Sequence, residues 1–254
     1  MGCFAQLRKT LELQPAHPEA WAQMQLLDPA ALDLEFLEKA TIALVNTKIQ
    51  QLNTLTAAVS LCRKNLVWPA LDDLERLLAK AFCGQLDKVS SSSACFTLLG
   101  AKVPQQAHLK AASSVWQYLT ANSIPLPPRP LPARGDRAIR VGFLSSDLRG
   151  HAIGFLIVGL LESLPRERIE WYAYNNSFSD SSDSRSRMRI GLDRFINIAP
   201  LTDRELATRI REDAIDILID LNGMTQETRA LVLSLRPAPI QITWLGMSTN
   251  RTRA

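Results

Sequence analysis

IRVGFLSSDLRGHAIGFL, residues 139–156, reads as three pieces in direct succession. Ile139–Ser145 is a short, nearly continuous apolar run ending in hydroxyls, the pattern of a strand buried on both faces. Ser145–His151 is a polar turn. Ala152–Leu164 is an apolar helix closed by Pro165. The same alternation continues outward. Ile169–Tyr174 reads as a strand, and a Ser/Asp-rich loop follows. Arg194–Ile198 is a short strand, and Asp203–Asp213 a helix with Asp203 and Glu205 where the helix dipole favours anions. Ile215–Leu221 is a buried strand, Glu227–Leu235 a helix stopped by Arg236-Pro237, and Ile240–Leu245 the last strand. Alternating apolar strands and helices imply an α/β lobe, a Rossmann-like parallel sheet covered on both faces.

Residues 1–122 differ in period and read as a helical region. Leu34, Leu37, Ala40, Ile42, Leu44 and Ile49 recur at roughly helical spacing. Leu71, Leu74, Leu77, Leu78 and Ala81 do so more cleanly, behind Asp72, Asp73 and Glu75 and ahead of Gly84. A further helix is expected from Gln105 to Ala121. The opening FAQLRKTLELQPAHPEAWAQM resembles a tetratricopeptide-type repeat junction: a helix ends near Leu13, Pro15 breaks it, and His17–Trp21 opens the next. No 34-residue recurrence follows, so a terminal repeat remnant and a plain helical hairpin both fit. Between the halves, residues 123–138 form a proline-rich connector, SIPLPPRPLPARGDRA. Its prolines remove backbone donors and favour an extended chain. An SH3-type ligand would share that composition, but an interdomain spacer fits a segment flanked directly by structured units. The expected domains are therefore 1–122, 123–138 and 139–254.

Composition excludes several classes. With 29 basic and 25 acidic residues the net charge is +4, and no dense Lys/Arg block points to nucleic acid. Arg185, Arg187 and Arg189 alternate with polar residues and read as a solvated loop. Cys3, Cys62, Cys83 and Cys95 lack CxxC spacing, so no metal is expected, and the last three sit in apolar runs. Free cysteines suit a cytoplasmic location. MGCFAQLRK lacks the apolar run of a signal peptide, Gln6 stands where a myristoylation signal has Ser or Thr, and no run reaches about 18 apolar residues, so no membrane span is expected.

Ligands of open α/β sheets bind beyond the carboxyl ends of the strands. Three strand ends matter here: Ser145–His151, Asp220–Thr225, and Leu245 onward. The first gathers two hydroxyls, Asp147, Arg149 and His151 within seven residues, at a helix N-terminus whose unpaired N–H groups suit an anion or a sugar hydroxyl. His151 next to that positive end is expected to stay neutral and to serve as a general base. Capping or a surface position would equally account for it, and Asp147 could be a helix cap. In the second loop Gly223 permits a tight turn, and Asn222 and Thr225 offer polar contacts.

Three segments taken together resemble the glycosyltransferase family of the protein O-GlcNAc transferases and the plant SPINDLY proteins. They are IRVGFLSSDLRGHAIGFL, DILIDLNGMTQETR (216–229) and LRPAPIQITWLG (235–246). The resemblance covers 139–246 well and 60–138 loosely. It implies that the lobe is half of a GT-B fold. It further implies transfer of N-acetylglucosamine (fucose in the SPINDLY branch) from a nucleotide sugar such as UDP-GlcNAc to Ser or Thr hydroxyls of protein acceptors. No metal or other cofactor is implied. The family's Asp and His near the sugar and acceptor fall on Asp147 and His151, and its sugar-approaching Leu-Gly on Leu245 and Gly246. Two departures stand out. Ala152-Ile153 replaces the Pro-Thr of the animal enzymes. Met247–Ala254 replaces Tyr-Pro-Gly-Thr and the second lobe, so a truncated catalytic region with negligible activity of its own is expected. A non-catalytic interaction module with an inert α/β domain, or a small-molecule binder at the strand ends, is the alternative.

Overall fold

A computed structural model describes residues 3–84, 92–101, 104–130, 137–164, 167–225 and 227–246. The chain divides into two compact units, within residues 1–118 and 119–249.

The helical unit contains α1 (Cys3–Leu13), α2 (Pro18–Met24), α3 (Leu34–Asn46), α4 (Leu52–Lys64), α5 (Leu71–Gly84), α6 (Ser92–Leu98) and α7 (Gln105–Thr120). The α1–α2 turn is built by the residues that suggested a repeat junction. His17 Nδ1 accepts from the Ala20 amide at 3.3 Å, Pro18 opens α2, and Trp21 Nε1 donates to the Pro15 carbonyl at 2.7 Å. In α3 the buried stripe is Phe36, Leu37, Ala40, Thr41 and Leu44. Ile42, expected in that stripe, faces out, because at 100° per residue it lies opposite Ala40 and Leu44. In α5, Leu74, Leu78 and Ala81 are fully buried, and Glu75 beside them is neutralised by Arg63 at 2.6 Å. Burial pushes the Cys62 thiol up, and that of Cys95 to about 12, so both remain protonated apolar side chains. The Cys83 side chain lies outside the described residues.

The second unit alternates strictly. Its elements are β1 (Ile139–Ser145), α8 (Ala152–Ser163), β2 (Ile169–Asn175), α9 (Asp183–Gly191), β3 (Arg194–Asn197), α10 (Asp203–Glu212), β4 (Ile217–Asp220), α11 (Ala230–Ser234) and β5 (Ile240–Thr243). The five strands are parallel in the order β3-β2-β1-β4-β5. Val141 and Phe143 of β1 lie level with Trp171 and Ala173 of β2 and with Ile217 and Ile219 of β4, so one face is apolar across three strands. The rings of Phe143 and Trp171 stack at 5.3 Å, and Ile153, Ile157, Val158 and Leu161 of α8 and Met188 of α9 join the same core. Because the connection reverses between β1 and β4, the loops leaving these two strands diverge, opening a crevice at the carboxyl edge.

Two expectations are corrected. The Ser/Asp-rich stretch after β2 is not loop throughout, and Arg185, Arg187 and Arg189 lie on helix α9. Ser182 caps it through the Arg185 amide at 3.3 Å, Met188 and Leu192 face inward, and Arg187 grips Glu162 of α8 at 2.7 and 2.8 Å. Arg185 is buried rather than solvated. Its guanidinium donates to Ser177 Oγ, Phe178 O and Leu148 O and lies over the Phe195 ring. Helix α11 is also shorter than expected, since Glu227 at φ 59° keeps the preceding chain out of the helix.

The described part of the proline-rich segment runs along the α/β unit. Leu126 carries the one amide between Pro125 and Pro128, and it donates to Leu235 O at 2.8 Å. Arginines take the carbonyls: Arg204 bonds Ile124 O and Arg211 bonds Pro127 O. Arg129 in turn donates to Ile215 O. Beyond residues 131–136, which lie outside the described residues, Arg137 clamps the buried Asp216 through two bonds of 2.7 and 2.8 Å, and the Arg140 amide adds a third at 3.0 Å. Burial alone would raise the Asp216 carboxyl. The Arg137 and Arg140 bonds outweigh it and hold the group below the usual carboxylate range. Asp216→Ala is expected to lower the unfolding free energy by about 2–3 kcal/mol, because Arg137 and the Arg140 amide lose their acceptor. A depressed folded pKa places that contribution above the ordinary carboxylate pKa and removes it as pH falls through the folded value. Urea unfolding at neutral and acid pH checks both: the gap between wild type and variant should close in acid.

Candidate functional site

The strand-end loops meet around one buried side chain, Asn222, which is only 2% exposed. Its Oδ1 accepts from the Ser146 amide at 2.8 Å. Its Nδ2 donates to Ser146 Oγ at 2.8 Å, Asp147 Oδ2 at 2.9 Å and Thr225 Oγ1 at 3.1 Å, two hydrogens shared among three acceptors. The loop after β4 is thereby tied to the loop after β1 across the crevice.

Asp220 sets Asn222 in place. Buried at the end of β4, its carboxylate accepts from the Asn222 and Gly223 amides at 3.1 Å and from Thr243 Oγ1 at 3.3 Å. Gly223 takes φ 61°, where a glycine costs nothing. The loop after β5 joins through close approach. A Cβ on Gly246 would come within 2.4–2.6 Å of Asn222 and Leu221 backbone atoms, so only glycine fits. Just before it, Leu245 adopts φ 65°, and the Gly246 amide closes a tight turn onto Trp244 O at 2.8 Å. A non-glycine residue in that region stores strain.

In the first loop the Asp147 amide donates to Ser145 Oγ at 3.0 Å. The Asp147 carboxylate is 16% exposed, with Arg149 Nη2 at 3.6 Å and His151 Nδ1 at 4.0 Å from Oδ1. His151, 39% exposed, is the N-cap of α8, and its Nδ1 accepts from the Ile153 amide at 3.3 Å. Gly154 is required here, since a Cβ would lie 2.1 Å from Arg149 O. The Arg149 guanidinium lies 4.6 Å over the Phe178 ring, and the Gly150 amide donates to Asp180 Oδ2 at 2.7 Å, a bond that holds the Asp180 carboxyl low.

Asp147, His151, Asn222, Thr225, Leu245 and Gly246 are thus brought to one edge of the sheet. They are not equivalent. Asp147, His151 and Leu245 keep accessible surface, whereas the Asn222 amide is committed within the protein and acts as the tie between loops. Asp220, Thr243, Asp180 and Arg185 were missed by sequence reasoning. Only Asp220 carried a signal, an Asp-x-Asn-Gly run at a strand end that favours side-chain-to-backbone turns. Among the described residues no group of three or more His, Cys, Asp or Glu could hold a metal ion, and no helix is long and apolar enough to cross a membrane.

The family model for glycosyl transferase family 41 matches residues 127–252. This part of the chain belongs to that family. Its relatives include a probable UDP-N-acetylglucosamine–peptide N-acetylglucosaminyltransferase SEC of Arabidopsis thaliana, 31% identical over 112 residues, 44% of this chain and 12% of that protein. A Caenorhabditis elegans UDP-N-acetylglucosamine–peptide N-acetylglucosaminyltransferase is 34% identical over 109 residues, 42% of this chain and 10% of that protein. A probable SPINDLY enzyme of Hordeum vulgare is 28% identical over 120 residues, 45% of this chain and 12% of that protein. The matched stretch is therefore a small part of each relative. Among solved structures, a mutant of Thermobaculum terrenum O-GlcNAc transferase aligns over 96% of this chain and 51% of its own, with a TM-score of 0.46 and 23% identity.

Asn222→Ala would strand the Ser146 amide and free the Asp147 carboxylate. It is expected to cost about 2 kcal/mol of unfolding free energy. Asn222→Asp should cost more, because a second carboxylate would face Asp147 Oδ2 at the 2.9 Å now spanned by a hydrogen bond. Denaturant unfolding of the two variants checks the ranking, and an Asp variant as stable as wild type would contradict it.

Proposed function

We propose that this chain carries the acceptor- and sugar-facing wall of a protein glycosyltransferase that moves N-acetylglucosamine from UDP-GlcNAc to Ser or Thr hydroxyls of protein substrates, acting in the cytoplasm. The observation that carries the reading is the convergence of Ser145–His151, Asn222–Thr225 and Trp244–Gly246 at the reversal point of a family 41 sheet. Open α/β sheets bind nucleotide-linked ligands at that edge. The chemistry of the wall suits a sugar. Asp147 offers a carboxylate to hydroxyl donors and Leu245 an apolar edge beside the tight turn, while the Thr225 hydroxyl is held on Asn222. The relatives are named for UDP-N-acetylglucosamine and peptide, the donor and acceptor class of this reading.

The 254-residue chain by itself is proposed to transfer negligibly. Among the described residues a single sheet edge is present, and catalysis by positioning needs the donor enclosed on more than one side. Titration with UDP-GlcNAc, followed by amide chemical shifts, is expected to move resonances of 145–151, 222–225 and 244–246. Shifts confined to other regions, or none at millimolar nucleotide sugar, would contradict the site. Incorporation of labelled N-acetylglucosamine into a Ser/Thr peptide by the isolated chain would contradict its inactivity.

A further inference from the structure

A general base at His151 requires a ring nitrogen with a free lone pair aimed at the acceptor, with the other nitrogen oriented by a partner such as a carboxylate. The loop geometry gives a different arrangement. His151 Nδ1 receives the Ile153 amide hydrogen at 3.3 Å, so its lone pair is already used. The carboxylate that would orient an Nδ1–H, Asp147 Oδ1, stands 4.0 Å away, beyond hydrogen-bond reach. Asp147 is moreover held in that position by Asn222 on its other oxygen at 2.9 Å. A neutral imidazole that accepts at Nδ1 carries its proton on Nε2. The ring is 39% exposed, and no described residue accepts from Nε2. The loop has little room to rearrange: the His151 amide donates to Arg149 O at 2.7 Å, and that carbonyl lies against Gly154, where even a Cβ would intrude at 2.1 Å.

We infer that His151 serves this site as a hydrogen-bond donor, presenting Nε2–H to an oxygen of the bound nucleotide sugar, and is not the base that takes the acceptor's proton. The ligand's identity rests on the transferase reading, but the tautomer does not. The oxygen partner is defined by its chemistry: a phosphate, hydroxyl or amide carbonyl oxygen with an available lone pair. Asp147 is correspondingly a neighbour of the ring rather than its orienting partner. What fixes the imidazole is the first turn of α8.

Imidazole nitrogen NMR tests the tautomer in the whole 254-residue chain. Only three histidines are present, His17, His108 and His151, so loss of one set of signals in His151→Gln assigns the ring. Above the histidine pKa the expected signature is an unprotonated Nδ1 and a protonated Nε2. A protonated Nδ1 overturns the proposal, whatever the protein binds. The donor role is then read from UDP-GlcNAc affinity. Gln places an N–H near Nε2, whereas Asn places its amide near Nδ1 and restores only the cap. His151→Gln should bind at least about five-fold more tightly than His151→Asn, the loss expected for one hydrogen bond. Equal weakening in both variants overturns the donor role. No UDP-GlcNAc binding by wild type would instead refute the transferase reading, and would also remove the ligand the donor role requires, while the NMR result still decides the tautomer.

Discussion

The amide of Asn222 is the constraint on which the candidate site depends. Strands β1 and β4 are neighbours, yet the chain leaves them toward opposite faces of the sheet, and nothing in a parallel ladder holds the two departing loops together. A backbone bond cannot bridge them once the strands have ended. A short side chain that both donates and accepts can, provided every one of its polar atoms finds a partner, because a half-satisfied buried amide costs more than an apolar residue would. Asn222 meets that condition with Ser146, Asp147 and Thr225, and Asp220 beneath it uses its carboxylate to fix the Asn222 and Gly223 backbone. Orientation of the partly accessible Asp147 carboxylate thus originates in the buried Asn222 and Asp220.

The third loop is held by shape as well as by backbone hydrogen bonds. Leu245 sits at φ 65°, a conformation costing of order 1 kcal/mol for a branched side chain. It persists because the chain on either side is over-determined. Trp244 is tied by its amide to Asp220 O at 2.9 Å, and Gly246 fits against the Asn222 backbone with no space for a methyl group. The strained residue is also an exposed apolar one at the sheet's carboxyl edge, so the strain serves to present a side chain rather than to pack it.

Much of the α/β unit was legible because its central strands carry near-continuous apolar runs, as in Val141–Leu144 and in Ile215–Leu221, where only Asp216 and Asp220 interrupt. The ends were less so. β4 stops at Asp220 because its side chain turns back on the following amides, a local preference that hydrophobicity does not register. Helix α9 was invisible for a related reason. Its inward face is made of Ser184, Arg185 and Met188, and the energy of burying Arg185 is recovered through carbonyls of other loops and the Phe195 ring, partners that periodicity cannot anticipate. At the site, residue types and strand ends pointed to loops that the fold brings to one edge of the sheet, while the division between accessible groups and the buried Asn222 tie needed the fold. The His151 ring likewise reads as a base from its place at the positive end of a helix. The 4.0 Å gap and the Ile153 cap are facts of backbone direction at the start of α8.

The proline-rich segment shows how composition can describe conformation correctly and still mislead about packing. Prolines remove donors but leave carbonyls, so an extended run such as Ile124–Pro130 is a row of acceptors with almost nothing to give. Such a row stays solvated unless the surface opposite supplies cations with several N–H groups and long reach. The α/β unit supplies them: Arg204 and Arg211 on α10 bond the carbonyls of Ile124 and Pro127, and Leu126 uses its single amide on Leu235. Guanidinium suits this task better than ammonium, because its planar fork can hold a carbonyl while remaining partly in water. Arg211 does this twice. One of its branches takes Pro127 O and the other Arg236 O, so a single side chain ties the segment to the turn that precedes β5. That turn leads into Trp244–Gly246, which places the clamp on the segment and the third loop of the site at opposite ends of one four-residue strand.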